Sequence, residues 1–242
     1  NARSFLLNDR RERVMAECYF DEGSYAKAAR IYRTRMEKDR TSGALFVRYA
    51  DCMALAGRYG EAIERLEKTP PADELLARLL AYNLHCLCGD IEAMGRALAR
   101  MGLVSRGVLY FHKRACYFRA RGAFSAALRS LETARALLPR SIDPLPHERA
   151  IGLALDCEEA LIRGEPSLAA PLLPALGTLP VIESLIYKGQ IIALACGMQS
   201  PGDDAAPWSP LDSPWLKAVV ALMFLLIFFL IYLDTKFVWL NP

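Results

Sequence analysis

The chain has 242 residues, 53% of them hydrophobic, and a formal net charge of +3, which fits one soluble domain and a short apolar segment. Its seven cysteines form an odd set without CxxC spacing, which disfavours a disulfide framework or a zinc site and indicates a reducing compartment. Residues 1–140 carry 25 basic and 16 acidic side chains and residues 141–242 carry 5 and 11, but without a Lys/Arg block, so we expect an acidic protein partner or lipid headgroups rather than nucleic acid.

A repeat organises the first 140 residues. Glycines recur at intervals of 34, 32 and 33 residues, each followed two positions later by an aromatic residue or isoleucine and usually five positions later by alanine. These glycines are Gly23, Gly57, Gly89 and Gly122. Glycine enters the left-handed conformation without a Cβ clash, so each one predicts the end of a helix before an antiparallel second helix. Such a pair cannot bury its apolar face alone and must stack on its neighbour.

The fourth unit carries the most complete pattern, at Phe111, Ala115, Phe118, Gly122, Phe124, Ala127, Leu131, Ala134 and Pro139. The first unit keeps Ala16, Tyr19, Gly23, Tyr25, Ala28 and Tyr32, and the second keeps Phe46, Ala50, Gly57, Tyr59 and Ala62. Over residues 9–140 the chain thereby resembles the tetratricopeptide repeat family. The third unit departs, with Tyr82 where a small residue is expected and His85 where an aromatic is usual. The resemblance implies an all-α fold, a right-handed superhelix of antiparallel helical hairpins, with four hairpins in residues 1–140.

Residues 141–198 predict a degenerate hairpin followed by a capping helix. The pattern of Glu148–Arg163 is helical and ends at Gly164, whereas in its mate, Glu165–Leu176, Pro171 and Pro174 would kink a helix or reduce it to turns. Pro180–Met198 then predicts an amphipathic helix that caps the exposed end of the stack. The apolar positions suited to that role are Ile182, Leu185, Ile186 and Ile192.

The last part of the chain predicts a membrane anchor. Residues 199–214 contain four prolines and three aspartates, which is typical of a linker. Residues 215–233 are apolar all round and would span roughly 28 Å at ~1.5 Å rise per residue, enough for a thin bilayer core. The alternative, a buried helix of a soluble domain, is disfavoured because this segment has no polar face. Residues 234–242 would form a short C-terminal tail.

The side of the membrane on which the N-terminal domain lies is inferred from the cysteines and from the flanking charges. Lys217 and Lys236 flank the apolar segment symmetrically, so charge bias does not set its orientation. Reduced cysteines and the lack of a signal peptide in this sequence favour a single-pass membrane protein whose N-terminal domain faces the cytosol. The moderate apolar length favours the endoplasmic reticulum or the mitochondrial outer membrane. The organisation is similar to the tail-anchored mitochondrial and peroxisomal fission adaptors, which have a shorter helical domain and a more basic end.

In the repeat family the first helix of each pair lines the concave face, and the resemblance therefore implies a set of partner-binding positions. They are Arg10, Arg13, Glu17, Val47, Asp51, Leu55, Leu76, Leu79, Asn83, Leu87, His112 and Arg119. A groove charged at its ends and apolar in its centre suits an amphipathic helix or an acidic segment with a hydrophobic anchor. The alternative is that Leu76, Leu79 and Leu87 only pack on neighbouring helices.

Some family members hold the C-terminal carboxylate of heat-shock chaperones with asparagine and basic side chains. Here Glu17 occupies the position of the first asparagine and Arg48 that of the second. An acidic residue at the first position repels a carboxylate, so we do not expect chaperones to dock by this route.

The sequence contains no arrangement for catalysis. Glu158 and Glu159 are adjacent on a helix and point in different directions, which suits a solvated face rather than acid/base chemistry. The glycines occur singly, without a phosphate-binding loop. We therefore expect no enzyme, no cofactor and no metal site.

The function that these features favour is a tail-anchored adaptor or scaffold, which binds a protein partner and the lipid bilayer. The alternative is a structural accessory subunit of a multi-protein membrane complex such as a translocase. In that case the phenylalanines of residues 215–233 would contact other transmembrane helices rather than lipid.

Overall fold

The computed structural model describes residues 2–138 and 146–197, with side chains for 10–138 and 147–197. Within these ranges the protein is all-α, with eleven α-helices, one 3-10 helix and no strand. The α-helices are α1 (Ala2–Asp21), α2 (Tyr25–Lys38), α3 (Gly43–Leu55), α4 (Tyr59–Lys68), α5 (Glu74–Cys88), α6 (Ile91–Val104), α7 (Val108–Ala120), α8 (Phe124–Leu137), α9 (Pro146–Arg163), α10 (Pro166–Ala169) and α11 (Val181–Ala195). The 3-10 helix is Ala170–Thr178.

The repeat predicted from the sequence appears as four helical hairpins, α1/α2, α3/α4, α5/α6 and α7/α8. In each pair the two helices pack on one another, and successive pairs are also in contact. The repeat glycines Gly23, Gly57, Gly89 and Gly122 all have a positive φ, between 69° and 74°. At Gly57 no neighbouring atom would meet a Cβ within 4 Å, so the backbone conformation, rather than space, requires glycine there.

Alanines hold the hairpins close together. Ala28, Ala62 and Ala127, each five residues after a repeat glycine, are fully buried. The third unit differs because Tyr82 occupies the position of a small residue. Its ring is buried and its hydroxyl donates a hydrogen bond of 2.7 Å to the Lys113 carbonyl on α7. The bulky side chain is therefore accommodated by a bond to the next hairpin.

The segment after α9 follows the sequence prediction closely. Gly164 ends α9 with a φ of 67°. The predicted mate of α9 is reduced to the single turn α10 and the 3-10 helix, because its prolines remove backbone donors and hinder a continuous helix.

Helix α11 does not pack as a simple end cap. It contacts α3, α5 and α9, and its side chains bond to α7. It therefore lies along the side of the stack formed by the first helices of the hairpins, which we call the inner face (α1, α3, α5 and α7). Of the four residues predicted to cap the stack, Ile182 and Ile186 are buried, whereas Leu185 and Ile192 are more than a third exposed.

The predicted linker (199–214), transmembrane helix (215–233) and tail (234–242) lie outside the described residues. Among the helices that the structure does describe, none is both long and apolar enough to cross a bilayer.

Candidate partner-binding face

The positions implied by the repeat resemblance all belong to first helices, but they differ widely in exposure. Arg10 and Arg13 are exposed on α1. Asp51, Asn83 and His112 are buried, with at most 6% of each side chain accessible. The others are partly buried: Glu17, Val47, Leu55, Leu76, Leu79, Leu87 and Arg119. Only the α1 end of the inner face therefore offers open polar side chains.

An open cleft of about 260 Å³ lies at that end, between α1, α2 and α3. Its wall includes Arg13, Glu17, Tyr32, Arg35, Leu45 and Arg48. We call it the N-terminal cleft. Three arginines and a single carboxylate among these side chains give it an excess of positive charge.

Internal bonds fix the side chains of the N-terminal cleft. Glu17 accepts hydrogen bonds from the Tyr32 hydroxyl at 2.8 Å and from Arg48 at 3.0 Å. Arg48 also lies over the Phe20 ring, 5.0 Å from its centre. Burial, together with the Glu17 carboxylate, raises the pKa of Tyr32, so its hydroxyl stays protonated and donates. The charges of Arg48 and Glu17 largely offset one another, and the exposed Arg13 adds a positive charge to the cleft.

The leucines predicted to line the centre of the groove pack mainly within the protein. Leu76, Leu79 and Leu87 are partly buried against the core, as is Val47. Leu76 lies so close to Gly43 that a Cβ on the glycine would be 2.8 Å from Leu76 Cδ2. These contacts support the alternative in which the leucines join hairpins rather than bind a partner.

Asp51 is buried on α3. Its side chain is 6% exposed, and this burial raises the pKa of its carboxyl to about 6, although the Arg48 charge opposes the shift. It titrates just below neutral pH, and it is not accessible to a second protein.

An ion pair joins α11 to the inner face. Lys113 on α7, only 1% exposed, donates to Glu183 on α11, and Asn83 Nδ2 on α5 donates to the same carboxylate oxygen at 3.4 Å. Burial lowers the pKa of Lys113, but Glu183 and the nearby cysteines together raise it by more, so the net shift is upward. Burial raises the pKa of Glu183, but Lys113, His112 and Asn83 together lower it by more, so both groups are charged at neutral pH.

A second contact joins His112 to Tyr187 of α11. Nε2 of His112 and the Tyr187 hydroxyl share a hydrogen bond of 2.7 Å, and the same hydroxyl lies 3.2 Å from Cys116 Sγ. Burial, assisted by the Lys113 charge, lowers the pKa of His112 to about 4. The imidazole is therefore neutral at physiological pH.

A third contact centres on Arg119. Its guanidinium donates to both carboxylate oxygens of Glu158 on α9, at 2.6 and 3.2 Å, and to Gln190 Oε1 on α11 at 3.0 Å. Glu158 is fully buried, so its assignment to a solvated face was wrong. Burial raises the pKa of Glu158, but Arg119, His112 and Cys116 together lower it by more, and the carboxylate stays charged. A fork of two hydrogen bonds compensates for the loss of water around both charges.

The structure places Asn83, His112 and Arg119 against the protein's own α11. The sequence analysis missed the residues that complete this contact: Lys113, Glu183, Tyr187 and Gln190. One signal was present, because positions 183, 187 and 190 share a helix face that otherwise would hold apolar residues only. The residues that bond to this face of α11 could not be predicted from the sequence, because they lie 70 to 100 residues away along the chain.

Comparison with known proteins agrees with this architecture. The tetratricopeptide repeat family matches residues 19–81, from the end of α1 into α5. No match was found among curated proteins or among solved structures.

Proposed function

We propose that the protein is a membrane-anchored adaptor, a right-handed superhelix of helical hairpins that binds another protein through its N-terminal cleft and performs no catalysis. The similarity of residues 19–81 to tetratricopeptide repeats supports a role in protein interaction. The observation that carries the proposal is the cleft itself. It is open at the α1 end of the inner face, and bonds to Glu17 hold Tyr32 and Arg48 in place.

The partner that suits this cleft is an acidic segment of a protein. Arg13 is exposed at the cleft wall, and Arg48 is held by Glu17 with further guanidinium donors available. Arginine binds carboxylates through paired hydrogen bonds, which makes it a common recognition residue for acidic peptides. The exposed Arg10 extends the positive charge along α1.

The proposed anchor is the apolar segment 215–233. It would hold the helical domain on the cytosolic side of the endoplasmic reticulum or the mitochondrial outer membrane. Support comes from the sequence alone: an apolar run long enough for a thin bilayer, and cysteines that favour a reducing compartment. Deletion of residues 215–242 is expected to move the protein from the alkali-resistant membrane fraction into the soluble fraction.

Proximity labelling with an enzyme fused to the N-terminus tests the adaptor role. Arg13→Glu should remove the labelled partners of the N-terminal cleft, because it places a negative charge beside Glu17. Arg129→Glu, an equal charge change at an exposed position of α8, is the matched control and should leave labelling unchanged. Equal labelling by both variants would show that the cleft does not bind the partner.

The alternative, a structural subunit of a translocase-like complex, rests on Phe224, Phe228 and Phe229, which could form a contact stripe within residues 215–233. Native mass measurement after mild detergent extraction separates the two functions. Membrane subunits retained in fixed stoichiometry would favour the accessory subunit. A monomer with a loosely bound soluble protein would favour the adaptor.

A further inference from the structure

Helix α11 occupies the inner face much as a bound peptide would. Its residues Glu183, Tyr187 and Gln190, at positions i, i+4 and i+7, share one face and bond to three side chains of α7. Those side chains are Lys113, His112 and Arg119. Two of them belong to the positions that the repeat resemblance assigns to partner binding. The contact therefore combines a recognition surface with a helix that carries complementary charges and hydrogen-bonding groups.

The fit between α11 and this surface is incomplete. Among the described residues, Asn83 Oδ1 and Glu183 Oε2 are buried at the contact without a hydrogen-bond partner. Buried polar atoms that lack a partner destabilise the state that contains them. Of these two oxygens only Asn83 Oδ1 belongs to the surface, because Glu183 leaves with α11. A helix that presents a donor to Asn83 Oδ1 would bind the same surface better than α11 does.

Displacement of α11 takes Glu183 away from Lys113, whose side chain is 1% exposed in the folded protein. A buried cation without its counter-charge is destabilising, so a competing helix must present a carboxylate to Lys113. Opening also exposes aliphatic side chains of α11, chiefly Ile182, Ile186 and Ile191. A competing helix must supply aliphatic residues at the same positions.

We propose that α11 is an internal ligand of the inner face, and that the same surface binds a helix of a partner protein that presents a carboxylate, a phenol and an amide at positions i, i+4 and i+7. This second site lies apart from the N-terminal cleft, and neither depends on the other. Because α11 is tethered, its effective concentration is high, and a partner helix competes only by better contacts or after α11 loosens.

The test uses the full-length chain, purified in detergent, and a fluorescent synthetic peptide of residues 179–197 as the probe. Glu183→Lys brings two cations together at Lys113 and should loosen α11. We expect amide exchange in α11 to become about tenfold faster or more while α1–α8 stay protected. The probe should bind this variant at least about tenfold more tightly than the wild-type chain, whose surface is occupied.

Three further variants complete the test. Lys113→Glu combined with Glu183→Lys restores an ion pair of reversed polarity, so it should protect α11 again and reject the wild-type probe. Tyr187→Phe removes one hydroxyl and keeps the ring, so it should loosen α11 even if Glu183→Lys fails to fold. Arg13→Glu should leave probe binding unchanged, which separates this site from the N-terminal cleft.

Three results would overturn the proposal. The first is an α11 that remains as protected as in the wild type in both loosened variants, since the polar contacts then do not hold it. The second is an exposed α11 without probe binding. The third is loss of protection throughout α1–α8 in Tyr187→Phe as well as Glu183→Lys, which would make α11 a part of the folding core.

Discussion

Asp51 and His112 are both buried on the inner face, and their pKa values are displaced in opposite directions. Burial raises the pKa of Asp51 from 3.8 to about 6 and lowers that of His112 from 6.5 to about 4. A raised carboxyl pKa removes stability as the pH rises through that range. A lowered imidazole pKa removes stability as the pH falls from 6.5 toward 4. Between about pH 4 and 6 the two effects oppose one another, so each needs its own variant.

Asp51→Asn should stabilise the protein at pH 7.5 by up to about 3 kcal/mol, because it removes a charge that folding must desolvate. The Asp51 carboxylate destabilises the fold only above its unfolded pKa of 3.8. The gain should therefore shrink below about 1 kcal/mol at pH 4, where the carboxyl is largely protonated in the folded state. Urea unfolding followed by circular dichroism at both pH values measures this. An equal gain at pH 7.5 and pH 4 would contradict a titration effect.

In the Asp51→Asn protein, the free energy of unfolding should fall by about 2 kcal/mol from pH 7 to pH 5 because of His112. Over this range the imidazole binds a proton in the unfolded chain but stays neutral in the folded protein. The charge of Lys113 contributes to the lowered pKa of the folded imidazole, whereas Glu183 and Glu158 oppose it. Adding His112→Asn should abolish the slope, whatever it does to stability at pH 7. The measurement is the free energy of unfolding at four pH values in this window. A slope that survives His112→Asn must come from another group.

The sequence predicted single residues well where backbone geometry or close packing decided them. Gly57 needs a positive φ and Ala62 needs close helix contact, and both requirements arise within one hairpin. The sequence did not predict the burial of Asp51, His112 or Glu158. Their surroundings come from helices that are distant along the chain, and the charge of a residue does not reveal its buried partner.

At the scale of single helices, a substitution of Leu79 tests whether the leucines of α5 line a binding groove or belong to the core. Leu79 lies on α5, partly buried against the hydrophobic core. Leu79→Asp should lower the free energy of unfolding by about 2–4 kcal/mol, because it places a carboxylate in an apolar contact. Leu103→Asp, at a position of α6 that is 86% exposed, is the control and should change stability by less than about 0.5 kcal/mol. Chemical denaturation of both variants gives the comparison. Full stability of Leu79→Asp with loss of partner binding would restore the groove interpretation.

The sequence predicted where several helices end. Glycine marked the ends of α1, α3, α5, α7 and α9, and the prolines after α9 indicated an interrupted helix, which corresponds to the short α10 and the 3-10 helix. The position of α11 was beyond this reasoning. Its pattern shows which residues are apolar, but several surfaces of a helical stack could receive them, and the choice depends on Lys113, His112 and Arg119 acting together.

At the scale of the whole molecule, α11 divides the inner face in two. Helix α11 covers the α5 and α7 part through the buried Lys113–Glu183 ion pair, whereas the N-terminal cleft remains open and contains the exposed Arg13. An adaptor built this way binds one partner without any rearrangement and a second only after α11 moves. The two sites differ in chemistry, since one suits an acidic segment and the other a helix with mixed polar groups.

Cysteine exposure offers a test of the proposed orientation in the membrane. Cys18, Cys88 and Cys196 are exposed, whereas Cys52, Cys116 and Cys157 are buried. Burial raises the pKa of Cys52 and Cys157 to about 12, which further suppresses their reactive thiolates. A membrane-impermeant maleimide should therefore modify only the exposed thiols of the folded protein within minutes.

Cells whose plasma membrane is permeabilised while organelles stay intact provide the assay. In a variant that carries Cys88→Ser and Cys196→Ser, we expect Cys18 to react at once if the helical domain faces the cytosol. Adding Cys18→Ser to this variant should abolish the maleimide labelling. Cys52 should react only after denaturation, so it reports that the domain was folded during labelling. Protection of Cys18 until detergent dissolves the organelle membranes would place the domain in a lumen. That result would exclude the cytosolic partner that the N-terminal cleft is proposed to bind.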